Sequence, residues 1–156
     1  FLGKASCPLW MWATSNFLPD ALWLMQVLGF EYKTSAVWVK VDDKDVAGDT
    51  VPFPATPYTP ACVVAEDHLQ IGLGQYMRHA HEWLLLGVRG KAMVPEPEDR
   101  LPSVIFAPRT KHSKKPQEAY DLIERVTPGP RLECFARTPR KGWTVWGNEV
   151  EHLEAK

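Results

Sequence analysis

Long apolar runs are missing from this sequence. None reaches the ~20 residues that a membrane-spanning helix needs, and no signal peptide is read at the start. An excess of charge is missing too. Lys and Arg number 18 against 19 Asp and Glu, a formal net charge of -1, so any nucleic-acid contact must come from a local basic patch. Cysteine is scarce. Cys7, Cys62 and Cys134 form no spaced metal pair and no even-numbered disulfide framework, which predicts a reducing, cytoplasmic setting. There is no Gly-x-Gly-x-x-Gly turn, which argues against an ordinary dinucleotide fold. Gly72-Leu73-Gly74 matches it only in part and precedes a strand where the fingerprint should follow one. Ser113 follows His112, but the lack of a Gly-x-Ser-x-Gly elbow argues against a hydrolase. Internal repeats and low-complexity tracts are absent as well.

What is present is enough for a core. The 156 residues suit one domain, read as 1–156, with an ordinary globular balance of 45% hydrophobic and 24% charged residues. Seven tryptophans stand out: Trp10, Trp12, Trp23, Trp38, Trp83, Trp143 and Trp146. Most lie in apolar, strand-like runs, which favours core packing over the stacking of nucleic-acid bases. The first residue is Phe1 rather than Met, an expectation that the chain begins inside a longer polypeptide.

Apolar runs predict strands at Pro8–Thr14, Ser35–Val41, His81–Val88, Ser103–Ala107, Arg131–Ala136 and Gly142–Trp146. Helical spacing of Leu18, Ala21, Leu22, Met25 and Leu28 predicts a helix, with Asn16 as cap, Pro19 in the first turn and Gly29 as stop. A second helix is predicted over Pro116–Val126, with Ala119, Leu122, Ile123 and Val126 on one face and Thr127-Pro128-Gly129-Pro130 ending it. Asp42–Leu73 carries Asp42, Asp43, Asp45 and Asp49, then four prolines, at 52, 54, 57 and 60, and reads as a long loop. It is either substrate-facing or disordered. Strands alternating with helices predict an α/β layer structure with a largely parallel sheet.

Three segments offer chemistry. Ala107–Pro116 leaves a strand and enters a helix with Arg109, Lys111, His112, Lys114 and Lys115 concentrated there. A carboxylate or phosphate would gain from both the cations and the helix N-terminus, while a solvated basic loop is the plainer alternative. Arg131–Arg137 places Glu133 in a strand, where a carboxylate needs a partner, and Arg137 is one candidate. Asn148 and Glu149, after the last strand, suit a ribose or a base edge. Gly72–Glu82 holds His79, His81 and Glu82, but further converging ligands are missing, so no metal is read. His81 and Glu82 are expected to hydrogen-bond inside the fold.

Together these segments resemble the adenine-N(6) methyltransferases typified by the messenger-RNA adenosine methyltransferase, with many bacterial and phage DNA-modifying members. L-W-M-W-A-T-S-N-F-L-P-D-A-L (Leu9–Leu22), G-F-E-Y-K-T-S-A-V-W-V-K (Gly29–Lys40), G-L-G-Q-Y-M-R-H-A-H-E-W-L-L-L-G-V-R-G-K (Gly72–Lys91), S-V-I-F-A-P-R-T-K-H-S-K-K-P (Ser103–Pro116), R-L-E-C-F-A-R and G-W-T-V-W-G-N-E follow in family order. The resemblance implies a Rossmann-like S-adenosylmethionine-dependent methyltransferase sheet with flanking helices, lacking its N-terminal strand. It implies that Lys115 meets the methionine carboxylate of the cofactor, that Glu133, Phe135 and Arg137 lie beside it, and that Asn148 and Glu149 lie near its ribose and adenine. Arg109, Lys111 and His112 are then expected on the nucleic acid, DNA rather than RNA, and a dimer or partner subunit is a further expectation.

One departure is plain. The family's Asp-Pro-Pro-Trp tetrapeptide precedes the segment that opens this chain, and none occurs here; Val51-Pro52-Phe53-Pro54 is not one. That motif accepts the hydrogens of adenine's exocyclic amine, whose lone pair is delocalised into the ring, and stacks the flipped base. Three explanations stand open. The motif lies upstream in a longer enzyme, another chain supplies it, or the chain is a non-catalytic relative that binds nucleic acid or partners an active subunit.

Overall fold

The computed structural model describes residues 6–42, 69–91, 94–109, 114–148 and 150. In chain order the elements are β1 (Cys7–Ala13), α1 (Leu18–Val27), β2 (Glu31–Val41), β3 (His81–Arg89), β4 (Val104–Pro108), α2 (Gln117–Val126), β5 (Arg131–Cys134) and β6 (Trp143–Trp146). Each lies where the hydrophobic pattern predicts it. The bounds differ most at β2, which begins at Glu31 ahead of its apolar run, and at β5, which ends at Cys134. Most of the Asp42–Leu73 excursion falls outside the described residues; Leu69, near its end, bridges to Val41.

The sheet is mixed, a correction to the largely parallel one that strand–helix alternation predicts. Four strands are ordered β1-β3-β2-β4; β3 runs antiparallel to both β1 and β2, while β2 and β4 are parallel. The physical reason is a skipped position. The β1–α1–β2 crossover leaves one strand's width open between two parallel strands, and β3 fills it in the opposite direction. Strand–helix alternation reports only the crossovers, not what later enters the gap. β5 and β6 form a separate two-stranded parallel sheet.

Alternation along the strands builds two cores. On one face Ala36, Trp38, Leu84, Ile105 and Ala107 meet Ala119, Leu122 and Ile123 of α2, with Trp10 and Trp12 at the margin. On the other, Ala13, Phe30 and Leu85 meet Ala21 and Met25 of α1. Leu84 and Leu85, neighbours in β3, are both essentially inaccessible and face opposite layers, each burial worth about 1.5–3 kcal/mol. The buried Trp38 indole donates to the Ala107 carbonyl at 2.8 Å, so this large ring carries no unpaired polar atom. Gly87 is required by close approach: a Cβ there would stand 2.6 Å from Met25 Sδ.

Two details of α1 depart from the sequence reading. Ser15–Phe17 forms a 3-10 turn, so Phe17 and not Asn16 takes the cap position, without a side-chain bond. Leu28, expected on the buried face, is the C-cap and stays 46% exposed, because the helical path that would turn it inward ends at Val27.

Candidate functional site

β1, β2 and β4 point the same way, so their C-terminal ends share one edge of the sheet, and β3 starts there. In open α/β sheets that edge is where ligands bind. Register sets Glu82 at the start of β3 opposite Trp38, beside Lys40 near the end of β2. Lys40 Nζ donates to Glu82 Oε1 at 2.7 Å, and Lys115 Nζ, arriving from the loop after β4, donates to Oε2 at 2.5 Å. All three side chains are mostly buried. Lys115 also lies 4.8 Å from the Trp12 ring centroid and Lys40 5.1 Å from that of Trp38. Burial would raise the Glu82 carboxyl, but the hydrogen bonds from Lys115 and Lys40 outweigh it and hold the group below its ordinary range. Lys115 therefore reaches this edge as a fixed cation. An ammonium carries three donors, so one spent on Glu82 leaves others for a ligand.

His81 and Glu82 do hydrogen-bond internally, as expected. The His81 ring meets Ser15 Oγ at 3.2 Å and packs edge-on against Trp83. Burial, then His79 and Lys40, lower its pKa, favouring the neutral ring. Among the described residues no group of three or more His, Cys, Asp or Glu converges on a metal position.

The second part of the site is the paired end of β5 and β6. Their register sets Cys134 opposite Trp146, so the residues that follow each strand emerge at the same end. There Phe135 takes φ +64°, a left-handed conformation uncommon for a side-chain-bearing residue, and stays 80% exposed with its ring edge-on to Trp146. Ala136 N–H donates to the Trp146 carbonyl at 2.9 Å. Gly147 permits this approach, since a Cβ there would sit 2.2 Å from the Ala136 carbonyl oxygen.

Glu133 is half-buried. The sequence offers Arg137 as its partner; the bond comes instead from the Tyr120 hydroxyl, at 2.8 Å, and the cation acting on its charge is Arg140. Reach explains the change, for Tyr120 on α2 brings its hydroxyl to the carboxylate. Burial raises the Glu133 pKa, and the Tyr120 and Arg140 contributions offset only part of that. Burial and the same carboxylate push the Tyr120 hydroxyl up. Around them Glu124 accepts from Arg140 Nε and from the Trp143 indole, both at 2.7 Å, fastening α2 to β6.

A cavity of about 1770 Å³ opens beside these groups, and Lys115, Glu133, Phe135 and Arg137 all line it. Asn148 is exposed in the turn after β6, at the same end of the strand pair but outside that lining. Arg109 is exposed too and does not line the cavity; its backbone N–H donates to Gln70 Oε1 at 2.8 Å. Lys111, His112 and Glu149 lie outside the described residues. Trp12 and Tyr120 are contributors that sequence reasoning missed. Each reads as an ordinary core aromatic until the partner from another element is placed beside it.

The sequence matches the MT-A70 family model over residues 62–149. It is 30% identical over 146 residues to the Type II methyltransferase M.MunI of a Mycoplasma species, covering 92% of this chain and 51% of that protein. Over 59 residues it is 44% identical to the human N(6)-adenine-specific methyltransferase METTL4, covering 37% of this chain and 12% of that one. Over 149 residues it is 25% identical to the human N(6)-adenosine-methyltransferase catalytic subunit METTL3, 93% of this chain against 22% of the other. The chain thus spans about half the Mycoplasma relative and smaller shares of the human ones.

Proposed function

This chain belongs to the MT-A70 family, and we propose that it forms the cofactor-holding part of an S-adenosylmethionine-dependent adenine N(6)-methyltransferase. The observation that carries the reading is convergence. Lys115, just ahead of α2, and Glu133, Phe135 and Arg137, from the end of β5, line one cavity, and the parallel β5–β6 pair brings Asn148 out at the same end.

The donor set suits the group. Lys115 and the backbone N–H groups that open α2, where Gln117 also lines the cavity, offer positive charge to a carboxylate. Glu133, held by Tyr120, offers acceptors to a ribose diol, and the exposed Phe135 ring offers a face to an adenine. Asn148 and Glu149 are assigned to the ribose and adenine end. When bound, S-adenosylmethionine supplies an electrophilic methyl on sulfur. This chain's residues bind and orient: Glu82, itself held by Lys40, keeps the Lys115 side chain in place at the cavity.

The groups that would accept the amine hydrogens of adenine are assigned to an Asp-Pro-Pro-Trp segment outside these 156 residues. DNA is the proposed polymer, supported by the extended likeness to a Type II methyltransferase. Arg109, Lys111 and His112 are proposed to meet its phosphates, and a partner subunit belongs to the same proposal. The test follows tritium from methyl-labelled S-adenosylmethionine into adenine of DNA and RNA oligonucleotides, with cofactor binding measured alongside. Label in DNA adenine, or cofactor binding lost on Lys115→Ala, supports the reading. Salt-dependent oligonucleotide binding with no cofactor binding refutes it and favours a non-catalytic scaffold.

A further inference from the structure

The loop that leads into β3 is pinned at its base and apolar at its tip. Leu69 bridges to Val41, and the Gln70 N–H donates to the Lys40 carbonyl at 2.8 Å. From the other arm, the Ala80 carbonyl accepts from the Lys40 N–H at 2.8 Å, so both arms are fastened to the end of β2. The Gly72 N–H then closes the loop on the His79 carbonyl at 2.9 Å. Beyond that bond stands a tip, residues 73–78, exposed throughout. Its turn is close, for a Cβ on Gly74 would collide with the Met77 carbonyl. This tip holds large apolar side chains out in solvent: Leu73 is 98% exposed, Tyr76 97% and Met77 73%. Apolar residues scattered singly over a surface need no explanation, but three gathered within five residues mark a contact site.

Charge and place favour one occupant. Residues 69–81 contain no Asp or Glu and carry Arg78, His79 and His81. Exposed Arg109 is tied to the same loop through Gln70. Such surroundings suit a polyanion. Glu82, which binds Lys115, follows two residues after the loop ends, so the tip rises from the edge of the sheet that holds this cation. An adenine inside a duplex has its amine paired and out of reach, so chemistry on that amine requires the base to leave the stack. The vacancy left behind has apolar faces above and below. Leucine and methionine side chains can be inserted between base steps, and an aromatic ring stacks on any base.

We propose that Leu73, Tyr76 and Met77 form a wedge that enters duplex DNA at the position vacated by the target adenine, with Arg78 on an adjacent phosphate. The wedge takes over the stacking that the base gives up, and the pinned arms keep it from folding back. It makes the substrate class duplex rather than single-stranded DNA. It rests on the DNA part of the proposed function and not on the cofactor assignment.

The probes are a fully paired DNA duplex and the same duplex with one central abasic site, which holds the vacancy ready-made. The chain should bind the abasic duplex at least tenfold more tightly. Leu73→Ser, Tyr76→Ser and Met77→Ser combined should erase that preference while leaving paired-duplex binding and the urea midpoint as they were, because all three side chains are exposed. Tyr76→Trp alone should keep the preference. Arg78→Ala should weaken both duplexes alike and lower the salt slope by about one. Calorimetry with S-adenosylmethionine on the same samples separates the two readings. Abasic preference without cofactor binding upholds the wedge and removes the cofactor reading; cofactor binding without abasic preference overturns the wedge alone. Preference that survives the triple substitution, or single strands bound more tightly than either duplex, also overturns it. So does self-association abolished by the triple substitution in a chain that binds no DNA, which would make the tip a protein contact.

Discussion

Lys115 is the residue on which the proposed cofactor binding turns. It lies between a carboxylate, an aromatic face and an open cavity. Truncation to alanine removes one charge-assisted contact and should weaken S-adenosylmethionine binding by about 1–3 kcal/mol, read by calorimetry. Glu82 acts at one remove. Its substitution by glutamine leaves two largely buried ammonium groups facing a neutral amide, a loss of about 1–3 kcal/mol in stability at pH 7. The pH dependence has a definite sign. The folded carboxyl titrates below its ordinary value, so its contribution is present at neutral pH and lost as pH falls through the folded pKa. The gap in urea midpoint between wild type and Glu82→Gln should therefore close on acidification. Glu133 has the opposite sign. Its folded pKa is raised, so ionisation costs stability as pH rises through that value. Glu133→Gln should match or exceed wild type in thermal stability at pH 7, with the two curves converging toward pH ~4.

At the scale of elements, the strands and helices were legible because each has its own periodicity. The apolar runs gave β1 through β6, and 3.6-residue spacing gave α1 and α2. Legibility ended where an outcome depends on a distant partner. Nothing local in His81–Arg89 says that it will run against both β1 and β2. The Phe135 left-handed turn was invisible for a related reason: an apolar residue after a strand reads as more strand, and only its pairing geometry with β6 ends it. Of the candidate site, the residue types were legible and the Tyr120 and Glu82 partnerships were not, since these span helix–strand and loop–strand contacts. Gly147 tests the element junction. Alanine there would push a Cβ into the Ala136 backbone, so Gly147→Ala should cost about 1–3 kcal/mol in urea unfolding and reduce cofactor binding together with it.

At the scale of the whole molecule, among the described residues, α1 and α2 clothe the two faces of the mixed four-stranded sheet, and the lining of the cavity runs from the β1 edge to the β5 end. The proposed function makes this one S-adenosylmethionine site, fed by α2, β5 and β6. Amide chemical-shift mapping during S-adenosylmethionine titration tests that most directly. The account predicts saturable shifts that converge on Lys115–Glu118, Glu133–Arg137 and Gly147–Asn148, with half-saturation at one shared concentration. Shifts confined to α1, or none at saturating cofactor in a chain whose β2–β3 amides remain protected, would contradict it.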